Sequence, residues 1–170
     1  MHKIGRLGAY TIMAAALLIQ LTFLGRFRIF GAEPDLMLLC VTFFGLFLGP
    51  AAGLETGAVA GAMMDIFSLD YFGINTFVYT ATGLLSGALN TSFVRESRRT
   101  QALIVFFCTA FSMCLHFFLA SVFSGSVELG FYEYLRACVI PAGLYTAAVS
   151  IPVFAKLSGV YNLREREDLL

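Results

Sequence analysis

Charged residues divide the chain into long uncharged intervals. Arg6 and Arg26 bracket Leu7–Gly25, Asp35 and Glu55 bracket Leu36–Leu54, and Asp70 and Arg95 bracket Tyr71–Val94. Arg99 and Glu128 bracket Thr100–Val127, and Arg136 and Lys156 bracket Ala137–Ala155. Each interval approaches the about 20 apolar residues with which a helix crosses hydrocarbon of about 30 Å. A further element is hidden in the second. As one helix, the largely apolar run Leu36–Ile66 would measure about 46 Å at 1.5 Å per residue, too long for one crossing without extreme tilt. Gly49-Pro50 interrupts it near the middle, and proline frees the carbonyl four residues back. The pattern therefore predicts two short helices joined by a tight turn. The six predicted spans cover residues 7–24, 36–49, 51–67, 74–94, 101–123 and 137–155.

Charge supports six crossings over five. Cytoplasmic loops collect Lys and Arg. Six crossings with both termini inside place Lys3, Arg6, Arg95, Arg98, Arg99, Lys156, Arg164 and Arg166 in the cytoplasm, and leave only Arg26, Arg28 and Arg136 outside. Met1–Gly25 has the basic start and apolar run of a signal peptide. Leu24-Gly25-Arg26-Phe27 offers no small-residue cleavage pattern, so a retained first helix is expected. The connectors are short and no soluble domain is expected; residues 1–170 read as one membrane domain. Its tail, 156–170, is polar after Asn162 and cytoplasmic.

Composition agrees. The chain is 59 % hydrophobic and 13 % charged, against roughly 45–50 % and about 25 % in soluble domains. Too few charges remain to coat a water-soluble sphere. The expected fold is an all-α membrane protein, a compact polytopic bundle of about six transmembrane helices. A net charge of +0 and the absence of a basic stripe argue against nucleic acid as a partner. Cys40, Cys108, Cys114 and Cys138 lie within predicted spans without a CxxC pair, and read as small buried hydrophobes. Trp is absent, so Phe131, Tyr132 and Tyr134 are expected to serve the interfacial belt.

Glycine recurs at Gly45, Gly49, Gly53, Gly57 and Gly61, and Asp65 continues the register. On the third helix, Gly53, Gly57, Gly61 and Asp65 form one slowly drifting stripe. Small residues let backbones approach closely, which drives helix association in lipid. The stripe is either a docking face for a partner helix or an internal packing face; a helix this lean exposes little to lipid, which favours packing at the bundle centre. Asp35 beside Pro34 suits the first turn of the second helix, where an acid meets the positive dipole end. Asp65 near the end of the third helix meets the opposite pole and needs a partner, with Asn75 and Tyr79 as candidates. A structural hydrogen-bonding role for Asp65 is preferred over a ligand or partner role. Glu55 reads as a solvated interface residue. Asn75, Tyr79, Thr82, Ser86 and Asn90 share a face of the fourth helix, and Thr109, Ser112 and His116 a face of the fifth. Such groups usually bond across helices. A lone His could relay protons, yet no acid in its helix pairs with it. HExxH, GxSxG and phosphate-binding loops are missing, as are paired acids and a metal-ligand set, so no enzyme, cofactor or metal is expected.

Several stretches together resemble the rod shape-determining MreD family. Pro34-Asp35-Leu36-Met37-Leu38-Leu39 is similar to the family's "PDLLLL" helix start. Gly53-Leu54-x-x-Gly57-x-x-x-Gly61-x-x-x-Asp65 resembles its glycine-spaced helix ending in "LLLD". Phe72-Gly73-Ile74-Asn75, followed by Tyr79 and Gly83, resembles its "PLGLNAL" turn. Pro141-Ala142-Gly143-Leu144-Tyr145 and Pro152 resemble its last helix. Met63 and Met64 depart from the usual leucines, and Thr146 stands where Asn is common. The resemblance singles out Pro34, Asp35, Gly53, Gly57, Gly61, Asp65, Gly73, Asn75 and Tyr79 as helix-packing or partner-contact residues. It implies a non-enzymatic inner-membrane component of the bacterial elongation machinery, with a fold like the substrate-binding subunits of energy-coupling-factor transporters. The implied partners are MreC, the synthase pair RodA and a class B penicillin-binding protein, and indirectly the MreB cytoskeleton. The alternative is a substrate-binding subunit of a vitamin transporter. Against it, the first span lacks an AxxxA motif: Met13, Leu18, Ile19 and Gln20 follow Ala9, Ala14, Ala15 and Ala16 at i+4.

Overall fold

The computed structural model describes residues 3–22, 34–68, 71–90, 97–124 and 130–160. All regular structure among them is helical. The elements are α1 (Lys3–Thr22), α2 (Leu36–Leu48), α3 (Pro50–Phe67), α4 (Ile74–Ala88) and α5 (Arg98–Ser124). The last, α6, begins as Phe131–Tyr134, passes through a π-helical segment at Leu135–Val139 and continues as Ile140–Val160. Leu24-Gly25-Arg26-Phe27, Arg28, Asp70, Arg95, Glu128 and the tail beyond residue 160 lie outside the described residues, as do the ends of the first and fourth predicted spans. Arg98–Phe123 and Phe131–Gly159 are long and apolar enough to cross a membrane; Leu7–Thr22 and Leu36–Leu48 are apolar but shorter.

The centre of the bundle is α2. Its 13 residues are apolar on nearly every side, and Met37 through Leu46 are all buried. A helix that is hydrophobic all round has to be surrounded. Its core side chains share one cluster with Met13 and Leu17 of α1, Val105 and Cys108 of α5, and Phe154 of α6. Phe43 meets Phe154 edge-on, with ring centroids 5.3 Å apart. The small-residue stripe predicts α3 at the centre, and the structure corrects this. Glycine and alanine permit close approach but fill little space, whereas a core at protein density needs the volume of Phe, Met and Leu. Accordingly α3 leaves Ala51, Leu54, Ile66 and Phe67 exposed.

Gly49 alone separates α2 from α3. It sits at φ +93° and ψ 179°, a conformation that is essentially reserved for glycine. Its N–H closes α2 on the Gly45 carbonyl at 2.9 Å, and its carbonyl accepts the Gly53 N–H at 3.0 Å. Pro50 opens α3, where its missing N–H has no intrahelical partner to lose. Gly49→Ala is expected to lower stability by about 1–3 kcal/mol through backbone strain alone. The nearest group to an added Cβ is the Asn90 amide at 3.4 Å, so no neighbour is pushed aside. A lowered melting temperature in detergent, with helix content unchanged, is the expected readout.

The glycine stripe is buried in the contact between α3 and α4, which run antiparallel. Gly53 faces Gly83, Gly57 faces Tyr79 and Thr80, and Gly61 faces Asn75 and Thr76. A Cβ at any of the three would meet α4 backbone atoms closer than 3.0 Å. From the other side, Gly87 lies against Pro50.

Only part of the polar face of α4 bonds across helices as expected: Tyr79 and Asn75 do, Thr82 and Ser86 do not. Asn75, Tyr79, Thr82 and Ser86 are buried. Yet Thr82 donates to the Val78 carbonyl at 2.8 Å and Ser86 to the Gly83 carbonyl at 3.0 Å, both within α4. Hydroxyls this short satisfy themselves on the preceding turn. Glu55 is half-buried and accepts the Tyr10 hydroxyl of α1 at 2.5 Å, rather than standing in solvent. The last helix starts at Phe131, before the predicted 137, so Arg136 is an exposed residue of the helix and not its boundary. Charge marks where a chain meets water, not where a helix begins. The π segment, with the Ile140 N–H on the Leu135 carbonyl, ends two residues before Pro141, whose lack of an N–H disturbs the α-helical ladder. Phe131 and Tyr132 are exposed, while Tyr134 stacks on Phe117 at 4.6 Å.

Candidate functional site

Two acids and the groups around them make up the site region, at the end of the bundle where α2 and α4 begin. Asp35 is the N-cap of α2: its Oδ1 accepts the Leu38 N–H at 2.9 Å. Pro34 is buried just before this cap, not in the first turn, because Asp35 itself holds the capping position. The Tyr79 hydroxyl donates to Asp35 Oδ2 at 2.5 Å, tying α4 to α2. The Asp35 N–H donates to Thr146 Oγ1 of α6 over a long 3.4 Å. Gln20 Oε1 of α1 accepts the Met37 N–H at 3.1 Å, satisfying a second free donor of the α2 N-terminus.

Asp65 ends the glycine stripe and is buried. Its Oδ2 accepts the Gly73 and Thr76 N–H groups, each at 3.0 Å, and the Thr76 hydroxyl at 2.5 Å. Its Oδ1 accepts the Asn75 N–H at 3.0 Å. The N-cap of α4 is Gly73, at φ +102° and without a side chain to cap its own helix. Asp65 supplies that cap from α3. A carboxylate at the wrong pole of its own helix is thereby placed at the favourable pole of the next.

A cavity of about 420 Å³ opens beside Asp35. Gln20, Asp35, Thr109, Ser112, Tyr134 and Thr146 supply its polar lining, drawn from α1, α5, α6 and the start of α2. His116 is half-buried on α5 and is not among the lining residues. Such an arrangement can hold a polar group by hydrogen bonding. Among the described residues no cluster of His, Cys, Asp and Glu could hold a metal ion. The four cysteines are free; Cys40 and Cys108 are buried, Cys114 and Cys138 half-buried.

The family model for the rod shape-determining protein MreD matches residues 1–160. The chain belongs to the MreD family. No curated protein and no solved structure matches it. MreD proteins take part in determining rod shape and are membrane-associated, and the apolar helices suit that setting. The transporter-subunit alternative receives no support.

In this MreD-family chain the singled-out residues fall into two groups. Gly53, Gly57 and Gly61, with Asp65, Gly73 and Asn75, make the α3–α4 contact. Pro34, Asp35 and Tyr79 gather at the α2 N-terminus. Asn75 reaches Asp65 through its backbone N–H and its side chain, but Tyr79, one turn further along α4, reaches Asp35 instead. Thr76, Thr146 and Gln20 were not legible as site residues. Thr76 could have been found from its place in the first turn of a helix whose cap position is glycine. Gln20 and Thr146 carry no local pattern; only the fold brings them to Asp35.

Proposed function

We propose that the chain is a non-enzymatic scaffold of the bacterial elongation machinery in the inner membrane, supporting lateral peptidoglycan synthesis. One observation carries this reading. Three acids are spent on joining helices: Asp35 to α4 through Tyr79, Glu55 to α1 through Tyr10, and Asp65 to the α4 N-terminus. Groups that in an enzyme would be held ready for substrate here make the bundle rigid, as suits a platform for other membrane proteins. The helices cross six times with both termini cytoplasmic, in an arrangement resembling the substrate-binding subunits of energy-coupling-factor transporters. MreC is the direct partner, with RodA and its class B penicillin-binding protein beside it and the MreB cytoskeleton linked indirectly.

Asp35 and Asp65 point inward, so contact with partners is best read from the exposed rim near them. Phe72 is 76 % exposed and Tyr132 74 % exposed. Photocrosslinking residues placed at these two positions in growing cells are expected to capture MreC. Lipid adducts alone from both positions, together with unaltered rod shape on depletion of the chain, would defeat the proposal. Reporter fusions at Arg98 and at the carboxy terminus are expected on the same, cytoplasmic side.

A further inference from the structure

The sides of the bundle that face outward differ in height. On α5 the exposed large apolar residues run from Leu103 to Phe123, about 30 Å at 1.5 Å per residue. On α3 they run from Leu54 to Phe67, and along α4 and its cap from Phe77 to Leu89, about 20 Å in each case. Hydrocarbon is about 30 Å thick, so α5 matches it and the α3–α4 hairpin falls short. The shortfall lies at one end. Tyr71, just ahead of α4, meets Phe123 near the end of α5, with ring centroids 5.7 Å apart, so the two helices are level there. From that level α5 extends back to Arg98, about 37 Å away, whereas α4 ends at Ala88 after about 21 Å. Gly87 lies against Pro50, so α3 begins where α4 ends. To hide the difference with α4 upright, α5 would have to lean by about 50°, beyond the roughly 0–40° that membrane helices adopt.

We propose that the α3–α4 face thins the bilayer beside it, at the end that carries the Gly49-Pro50 turn, and gathers lipids with short acyl chains there. The turn is non-helical backbone with the Asn90 amide beside it. Irregular backbone is not left bare in hydrocarbon, so the membrane surface has to come down to the turn. A hydrophobic stretch shorter than the local hydrocarbon is accommodated in this way, at a modest cost per ångström that sorts lipids and proteins by thickness. The partner is selected by chain length rather than by headgroup, because no exposed residue of α3 or α4 is charged. Only α3 and α4 impose this demand. The equally short α2 is surrounded by protein and meets no lipid. The inference rests on the membrane-crossing arrangement proposed above and not on the scaffold role.

Hydrogen exchange of the full chain in phosphatidylcholine bilayers tests it, with monounsaturated acyl chains of fourteen, sixteen, eighteen, twenty and twenty-two carbons. Amides at the Gly49-Pro50 end, in residues 53–56 and 85–88, are expected to exchange about fivefold or more faster at twenty-two carbons than at sixteen, while residues 104–120 of α5 change little. Leu89→Lys ends the apolar band of α4 at Leu85, one turn earlier, and is expected to move the onset of this loss to thinner bilayers. From an equimolar mixture of the shortest and longest lipids, the short one is expected to be retained on the purified chain in at least about twofold excess. Exchange at that end that is independent of chain length, or fastest in the thinnest bilayers, overturns the proposal. So does energy transfer between labelled copies in fourteen-carbon bilayers, because a second chain would then cover the face. Polarised infrared spectra of oriented bilayers separate the two readings. Helices lying flat defeat the membrane-crossing arrangement and the thinning together, whereas upright helices with thickness-independent exchange defeat the thinning alone.

Discussion

Gly57→Leu is expected to separate α3 from α4 and to destabilise the bundle by about 3 kcal/mol or more, at or beyond the upper end of ordinary overpacking. A Cβ at Gly57 already meets the Tyr79 carbonyl and the Thr80 Cα, both backbone atoms that cannot rotate away. The isobutyl group then has to force the two helices apart, which also draws Gly53 from Gly83 and Gly61 from Thr76. Gly57→Ala is expected to show the same effect at about 1–3 kcal/mol, since the first carbon is the one that collides. Thermal unfolding in detergent checks both. The measurement also separates packing from partner contact. A Gly57→Leu chain that melts like the parent but no longer co-purifies with MreC would mean that the stripe is a docking face after all.

Asp65→Leu is expected to be the most damaging single change at the other end of this contact. It strands the N–H groups of Gly73, Asn75 and Thr76 and the Thr76 hydroxyl. Buried donors left unmet cost about 1–3 kcal/mol each, so a loss of roughly 4 kcal/mol or more is expected. Asp65→Asn keeps one carbonyl oxygen but loses the second acceptor and the charge, and is expected to fall between the two. Hydrogen exchange over residues 73–80 gives the local readout. Protection there should fall in both variants before the rest of the bundle opens, and unchanged protection in Asp65→Leu would remove the capping role.

The sequence made some of this legible and hid the rest for identifiable reasons. The break at Gly49-Pro50 was readable because two backbone-specific residues sit side by side, and their effect is local. The glycine spacing revealed a close helix contact, since a four-residue period puts Gly53, Gly57 and Gly61 on one face of α3. It did not reveal the core helix, because closeness and volume are different demands: α3 satisfies the first and α2 the second. Asp65 announced itself by standing at an unfavourable dipole end. Its partners could not be ranked without knowing that Gly73 leaves α4 uncapped. Tyr79 was assigned to the nearer acid in sequence, whereas its length carries the hydroxyl across to α2. The start of α6 was misplaced because Arg136 sits exposed on a continuous helix, where a single charge interrupts hydropathy but not hydrogen bonding. The cavity was invisible for the reason that cavities generally are: its walls come from segments far apart in the chain.

The one-residue join at Gly49 has a consequence for how the molecule is made. The α2–α3 hairpin is complete once Phe67 has been synthesised, yet its glycine groove is open and Asp65 has nothing to cap. Only the arrival of α4 fills both vacancies together. Translation thus delivers a half-finished clasp first and its closing tooth afterwards, and the nascent bundle can latch only once residues 74–88 have left the ribosome and reached the bilayer.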